Sequence, residues 1–538
     1  MRLSMLGALA LGLLVAACGD DTAAGGSGGG GAPSNGGGPE GGQAAGGGGA
    51  SAGGSSSEGG GGGTVTLPES VDVTLVDNGA GGLTRVSFAV PLQRGQLSDA
   101  SLVRVQAGGT ELARGARGLA SYDDGSFRSV QVQVDADPGS TTTLTVSLGE
   151  AASQTLELVP VEDTLVDPDG EQGPRVWALL PASWLSASGV AGPLAPEADA
   201  EGTPLAAWAD HCDYAAFDSD QFLSEGAATT RAVWLYDRGT VFYRGYARRG
   251  DLVPLASAYR ESSMYRNLIT GDGTSARNGL PQGSESDPKY QYAQNLAIHY
   301  LLTGDDRFRE SAEDMALGMT ELWPSPEYAG GSDSWTERNA GFSLLAYVWG
   351  AMVSDDQAAT LWAAADEAAA AYIAIQETYP VGYDDPDARC FAHHGDAHDP
   401  AEGNPYFGCS PWMSAILADA LDGYARARGG AEADAARTSL VKLGRILARE
   451  GRDATDNPFY WMGVDTVEDA VDDYLEHIGE SAYVIALAWR LDGGGDAELL
   501  DAANVLVDKF AAEGEVGQLR SFNWQCRSAV MTPWLLSP

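Results

Sequence analysis

Tyr290-Gln-Tyr-Ala-Gln-Asn-Leu-Ala-Ile-His-Tyr-Leu-Leu-Thr303, then Gly304-Asp305, then Asp306-Arg-Phe-Arg-Glu-Ser-Ala-Glu-Asp-Met-Ala-Leu-Gly-Met-Thr-Glu-Leu322: this stretch reads as a helix, a two-residue stop and a second helix. Glycine takes the left-handed conformation that ends a helix, and the aspartate side chain accepts the first free N–H groups of the next one. The pattern recurs around Gly250-Asp251, Ser354-Asp355, Gly429-Gly430 and Gly495-Asp496. It predicts five helix pairs: 237–249 with 252–268, 290–303 with 306–322, 335–353 with 356–378, 411–428 with 431–449, and 467–491 with 497–512. An internal repeat of helical hairpins predicts a stacked array or a closed α/α toroid of about five to six hairpins over residues 230–538.

Upstream the period changes. Residues 71–76, 85–90, 102–105, 127–134 and 141–146 alternate apolar with polar side chains between Gly, Asp and Pro turns, which predicts a small β-barrel or sandwich over 64–160. Residues 161–229 are Pro-rich and aperiodic, and read as a connector. The expected fold class is therefore multidomain β plus α, a small β domain followed by an α/α toroid.

Arg2, the apolar run 6–15 and the small residues before Cys18 read as a signal peptide over 1–17. Val15-Ala16-Ala17-Cys18 resembles a bacterial lipobox, which implies cleavage before Cys18 and a lipid on its thiol. Residues 18–63 are a Gly-rich tether with a reach on the order of 35 Å. The expected location is outside the cell, anchored by lipid to the outer membrane or cell surface. Four cysteines remain and allow three pairings. Cys390–Cys409, clipping one loop, and Cys212–Cys526, joining the ends of the helical region, form the expected set, with zinc ligation the weaker reading for want of close Cys spacing.

The chain has 538 residues, 32 basic against 75 acidic, for a net charge of −43. That argues against a general nucleic-acid binder, which needs a basic face to displace counterions. Turns within the helix pairs are short, whereas those between pairs are long: 269–289, 323–334, 379–410 and 450–466. Long insertions confined to one rim of a repeat array mark its binding face.

Three polar clusters fall there. Cys390-Phe-Ala-His393-His394-Gly-Asp396-Ala-His398-Asp399 holds three of the six histidines. Imidazoles suit a general base near neutral pH. The other readings are an inert surface loop or a divalent metal at His393, His394, Asp396 and His398. Asp333-Ser-Trp335-Thr336-Glu337-Arg338-Asn339 opens the third pair, where Arg338 could clamp a carboxylate and Ser334 with Glu337 could form a capping box. Lys289 and Tyr290 precede Tyr292, Asn295 and His299, expected on one helical face. His211, Asp213, Glu476, His477 and Glu480 are lesser candidates. Trp335, Tyr383, Tyr406, Trp412, Tyr460 and Trp461 supply rings that stack on the C–H faces of sugars, so the mixture suits a carbohydrate cleft.

Arg85-Val-Ser-Phe-Ala-Val-Pro-Leu-Gln-Arg-Gly95 and Tyr122-Asp-Asp-Gly-Ser-Phe-Arg-Ser-Val130 resemble the strand-turn and "W-x-DGS" turn of the exo-rhamnogalacturonan lyase family, with Tyr122 where Trp is common. The likeness covers about 90 residues. It implies a β domain attached to a carbohydrate-active toroid, and it carries over no catalytic residue.

The expected activity is cleavage of a uronate-containing polysaccharide by β-elimination, by a monomer that meets the membrane through its lipid anchor only and needs no cofactor. Arg338 and Asn339 would neutralise the uronate carboxylate, His394 with His393 beside it would supply the base, and Tyr292 or Tyr406 the acid. Trp335, Glu337, Lys289, Tyr290, Asn295, His299, Asp396, His398 and Trp412 would bind substrate. The rivals are a glycoside hydrolase pairing Glu337 with Asp396 or Asp333, and a non-catalytic glycan-binding lipoprotein.

Overall fold

The computed structural model describes residues 66–324, 335–398, 407–463, 469–471 and 475–537. The signal peptide, Cys18, the tether, Asp333, Ser334 and Tyr406 lie outside them, as do the side chains of Asp396 and His398.

Two antiparallel sheets come first. Strands β1 (Ser70–Asp77), β2 (Thr84–Pro91), β3 (Val103–Ala107), β4 (Thr110–Glu111), β5 (Arg114–Ser121), β6 (Phe127–Ala136), β7 (Thr143–Leu148) and β8 (Val176–Leu179) form one sheet of order β4-β3-β7-β1-β8 and one of order β2-β6-β5. Alternation explains β1, whose Val71, Val73 and Leu75 are buried while the residues between them face water. Strand β6 is buried on both faces. Its Val130, Val132 and Val134 sit among the apolar core, while Ser129 and Gln131 make polar contacts. Ser129 Oγ donates to the carbonyl of Leu301 at 2.6 Å in the helical region, so this sheet is also a wall against the helices. Strand β8 falls inside the stretch expected to be a connector, and pairs with β1 from Thr74↔Leu179 to Asp77↔Val176.

Five helical hairpins follow: α1 (Arg238–Arg249) and α2 (Leu252–Asn267), α3 (Gln294–Thr303) and α4 (Asp306–Leu322), α5 (Glu337–Val353) and α6 (Ala358–Gln376), α7 (Pro411–Arg428) and α8 (Gly430–Glu450), α9 (Ile478–Leu491) and α10 (Ala497–Glu513). The caps work as their residues predict. Gly250 and Gly304 are left-handed, and Asp251, Asp305 and Asp496 each accept an N–H of the following helix. Odd-numbered helices are buried nearly all round, whereas even-numbered ones keep one face in water. Successive odd helices pack side by side, with the contact of α5 on α7 the most extensive.

The C-terminal segment returns to the start of this array. Cys212 and Cys526 form a disulfide with Cα atoms 5.8 Å apart, and Cys390 and Cys409 form a second. Asn523 Nδ2 donates to the carbonyls of Val233 and Leu235, and Arg238 donates to Asn523 Oδ1. In the centre, Arg244 and Arg527 both donate to buried Asp419, and Arg527 also donates to Gln294 of α3. Among the described residues no helix is long and apolar enough to cross a membrane. Two disulfides fit a protein folded in an oxidising, extracytoplasmic compartment.

Candidate active site

Because each hairpin returns, the N-terminal ends of α1, α3, α5, α7 and α9 gather at one end of the array, and the polar residues that open them meet there. Tyr236 and Asp237, just before α1, both have positive φ, 74° and 56°. Two consecutive non-glycine residues in that region cost conformational energy, and such strain gathers at functional sites. It is held by Asp237, whose carboxylate accepts from the Thr240 hydroxyl at 2.7 Å and from Asn295 Nδ2 at 2.8 Å.

Tyr236 is thereby fixed edge-on to Trp524, ring centres 5.5 Å apart, and 6.3 Å from Trp412. The Arg338 guanidinium, from the first turn of α5, lies against the Tyr236 phenol and 5.8 Å from the centre of the Trp412 ring. Arg520 lies 5.1 Å from the Trp524 ring. His477 stacks on Trp412 at 4.5 Å and lies 4.9 Å from Trp524, and Tyr460 is 5.5 Å from Trp412. His477 Nδ1 is 3.4 Å from Glu480 Oε1. The result is an aromatic cage holding a phenol, an imidazole and a carboxyl beside arginines, with every one of these side chains but Tyr460 and Arg520 buried.

Burial sets the protonation states. It pushes the Tyr236 phenol up, with Arg338 and Arg520 opposing, so the hydroxyl keeps its proton. Burial pushes the Glu480 carboxyl well up, toward the neutral acid. At Arg338 burial works against the charge, and Tyr236 with Asp287 and Tyr460 more than offsets it.

A second buried pair adjoins the cage. Glu337 Oε2 lies 2.5 Å from His393 Nδ1, and Glu337 Oε1 accepts from the Ser410 N–H at 3.1 Å. The chain around it is tied down by the Cys390–Cys409 bond and by pairing of His393 with Gly408. His393 also meets Trp461 edge-on at 4.6 Å.

The other sequence candidates are distributed differently. His394 is half-buried, pairs across the strand with Phe407 and meets its ring edge-on at 5.2 Å. Helix α5 begins at Glu337 rather than Trp335, and its cap is Thr336, which accepts from the Asn339 N–H at 3.2 Å; Ser334, expected to form a capping box with Glu337, lies outside the described residues, and Glu337 faces His393. Trp335 is buried with its ring 6.2 Å from Tyr372. Tyr292 precedes α3, so it does not share a helical face with Asn295 and His299. Its phenol lies 2.7 Å from the Lys289 carbonyl and 3.1 Å from that of Trp234. Asn295 braces Asp237. His299 is core: it stacks on Phe308 at 3.5 Å, its Nδ1 meets the Tyr243 hydroxyl at 2.6 Å, and burial pushes its pKa down to about 3. Lys289 is buried, 3.4 Å from Asp287, and Tyr290 lies under Arg231 at 5.4 Å. Trp412 stands at the centre of the cage.

No family model matches the chain, and no curated protein matches it.

Sequence reading named Arg338, Trp412, Tyr460, His477 and Glu480, but not Tyr236, Arg520 or Trp524. The last two lie in the C-terminal segment, brought to the cage by the Cys212–Cys526 bond and by Asn523. Nothing in the residue types around Tyr236 announces its backbone. Among the described residues, carboxylates close enough to share a metal are Glu313, Asp355 and Asp356. They belong to the opposite end of the array, where α5 passes into α6.

Proposed function

We propose that the chain is a polysaccharide lyase that cleaves a uronate-containing glycan by β-elimination at this cage. The observation that carries the reading is the placement of a protonated phenol, Tyr236, against Arg338 within one aromatic enclosure. In a chain of net charge −43, arginines gathered around an aromatic enclosure suit a carboxylate-bearing sugar. Arg338, with Asn339, neutralises the uronate carboxylate and so acidifies the adjoining C–H. His477 removes that proton. The electron pair forms the new C=C bond as the C–O bond to the leaving sugar breaks, and Tyr236 protonates the departing oxygen. Half-buried Tyr460, beside Trp412, offers a face for a sugar ring.

These assignments move two roles. The acid, expected at Tyr292 or Tyr406, passes to Tyr236: the Tyr292 hydroxyl lies between backbone carbonyls, and Tyr406 lies outside the described residues. The base passes from half-exposed His394 to His477, which shares Trp412 with Arg338. The contacts that return the C-terminal segment to α1 support a closed toroid, and the sequence before residue 64 supports lipid anchorage through Cys18.

A second reading rests on Glu480. A neutral buried carboxyl is what a hydrolase uses to protonate a leaving group, with Glu337 as the second carboxylate. Incubating the full chain with uronate and neutral polysaccharides separates the two. Rising ultraviolet absorbance from an unsaturated product is the expected result. New reducing ends without absorbance would favour the hydrolase, and neither signal with demonstrable binding would favour a glycan-binding protein.

A further inference from the structure

A cavity lies at the opposite end of the helices, where the C-terminal ends of α3, α5 and α7 face β5 and the turn before β6. It has a volume of about 680 Å³, within the range of ligand pockets, ~300–1,000 Å³. Helix α5 alone is 17 residues long. That puts roughly 25 Å between this cavity and the aromatic cage.

Its lining runs against the charge of the chain. Arg94, Arg117, Arg128, Arg309 and Arg428 line it against three aspartates, Asp123, Asp306 and Asp355. Four of the arginines are committed. Arg117 donates to Asp306 and to the Gly304 carbonyl at the end of α3. Arg94 pairs with Asp123, Arg309 with Asp355, and Arg428 with Asp366.

Arg128 differs. Among the described residues it has no carboxylate partner, and its Nε, like that of Arg309, is buried without a hydrogen bond. Its guanidinium lies 4.2 Å from the centre of the Tyr122 ring, and Arg94 lies 5.1 Å from the same ring. Two cations on one phenol repel each other, and desolvation weakens the hold of Arg128 on its proton, with Tyr122, which it hydrogen-bonds, opposing and Arg94 adding to the loss. An anion seated in the cavity relieves both costs.

The volume exceeds what an inorganic ion fills, and the wall carries Tyr122, Tyr300 and Trp362 as well as Ser121 and Ser354. We infer that this cavity between the strands and the helices is a second binding site, for an acidic oligosaccharide whose carboxylate or sulfate sits on Arg128 and Arg94. That it takes a saccharide rests on the glycan reading above; that it takes an anion does not. Bound there, a chain end would be held by the β domain and helices together, away from the site of cleavage.

Calorimetry on the full chain at low salt, with trigalacturonate, a neutral trisaccharide and inorganic sulfate as probes, tests this. Trigalacturonate is expected to bind, sulfate to compete with it, and the neutral sugar to give no heat. Measured in an Arg338→Met background, which removes the uronate contact at the cage, Arg128→Gln is expected to raise the trigalacturonate Kd at least tenfold. Should Arg128→Gln fail to fold, the half-exposed Arg94→Gln is expected to weaken binding severalfold. No binding of either anion overturns the proposal, as does binding indifferent to both substitutions. Sulfate binding alone overturns the saccharide as ligand and leaves an adventitious ion only. Cleavage of a uronate polymer without trigalacturonate at this cavity overturns this inference and spares the cage. Binding abolished by Arg128→Gln in a chain that cleaves nothing does the reverse.

Discussion

His477 lies flat on Trp412, the ring centres 4.5 Å apart and the planes 9° from parallel, and the Arg338 guanidinium is 5.8 Å from the same indole. One side chain therefore positions both the proposed base and the group that neutralises the carboxylate. Trp412→Leu is expected to lower kcat/KM at least tenfold. Its effect should not add to that of His477→Ala, since neighbours that share a partner couple. Steady-state kinetics of the single and double variants check this, and full additivity would count against a shared platform.

Tyr236→Phe removes one oxygen and leaves the ring contacts with Trp524 and Trp412 in place. Loss of a positioned acid costs on the order of 10²–10⁴ in rate. The expected outcome is a loss in kcat of that size with KM and the circular dichroism spectrum unchanged. A variant that keeps most of its activity would remove Tyr236 from the chemistry.

Asp419 sits between Arg244 and Arg527, neither of which reaches solvent. Asp419→Asn leaves two guanidinia facing each other without a counter-charge, and breaking such a buried set costs about 3–5 kcal/mol. Burial pushes the Asp419 carboxyl up, but the two arginines outweigh it and hold it below its ordinary value. A depressed carboxyl contributes stability above its unfolded pKa of about 3.9. That contribution disappears as pH falls through the lower folded value. Urea melts between pH 7 and pH 2 should show wild type losing stability at the acid end and Asp419→Asn starting lower with a shallower decline.

His299 contributes at milder pH. Its pKa falls from 6.5 to about 3 on burial between Phe308 and Tyr259. Below pH 6.5 the unfolded chain takes up a proton that the folded chain refuses, so stability declines from 6.5 down toward 3. Thermal melts of wild type across that window should fall more steeply than those of His299→Gln. Parallel curves would assign the acid sensitivity elsewhere.

Gly341 marks the contact of α5 with α7. A Cβ there would stand 2.7 Å from the carbonyl carbon of Ile416 and from the backbone N of Leu417. Backbone cannot yield as a side-chain tip does, so Gly341→Ala is expected to cost about 1–3 kcal/mol in a denaturant melt.

The helical hairpins were legible because each is punctuated locally: Gly304 and Asp305 announce one turn without help from the rest of the chain. Helix ends were less so, as where α5 starts at Glu337 behind a Thr336 cap and not at Trp335. Strand β5, Arg114-Gly-Ala-Arg-Gly-Leu-Ala-Ser121, reads as loop because its glycines break the alternation. Gly118 is there because the Phe127 ring fills the space a Cβ would need, 2.3 Å away. At the cage, residue type identified Arg338 and Trp412, which sit at helix starts. Tyr236, Arg520 and Trp524 depend on backbone strain and on a chain return across some 300 residues, and neither leaves a local mark. His299 looked functional because a histidine on an inner helix has two fates, and only the packing of Phe308 decides between them.

The Cys212–Cys526 bond also governs what a protease can accomplish. Every one of the long loops between hairpins falls inside the ring of chain that this bond closes. A single cut in any of them yields two pieces that stay covalently joined and still packed along the same helices. Such a nicked molecule migrates as one species until a reductant is added. For a protein folded in an oxidising compartment, the first cut is thus survivable.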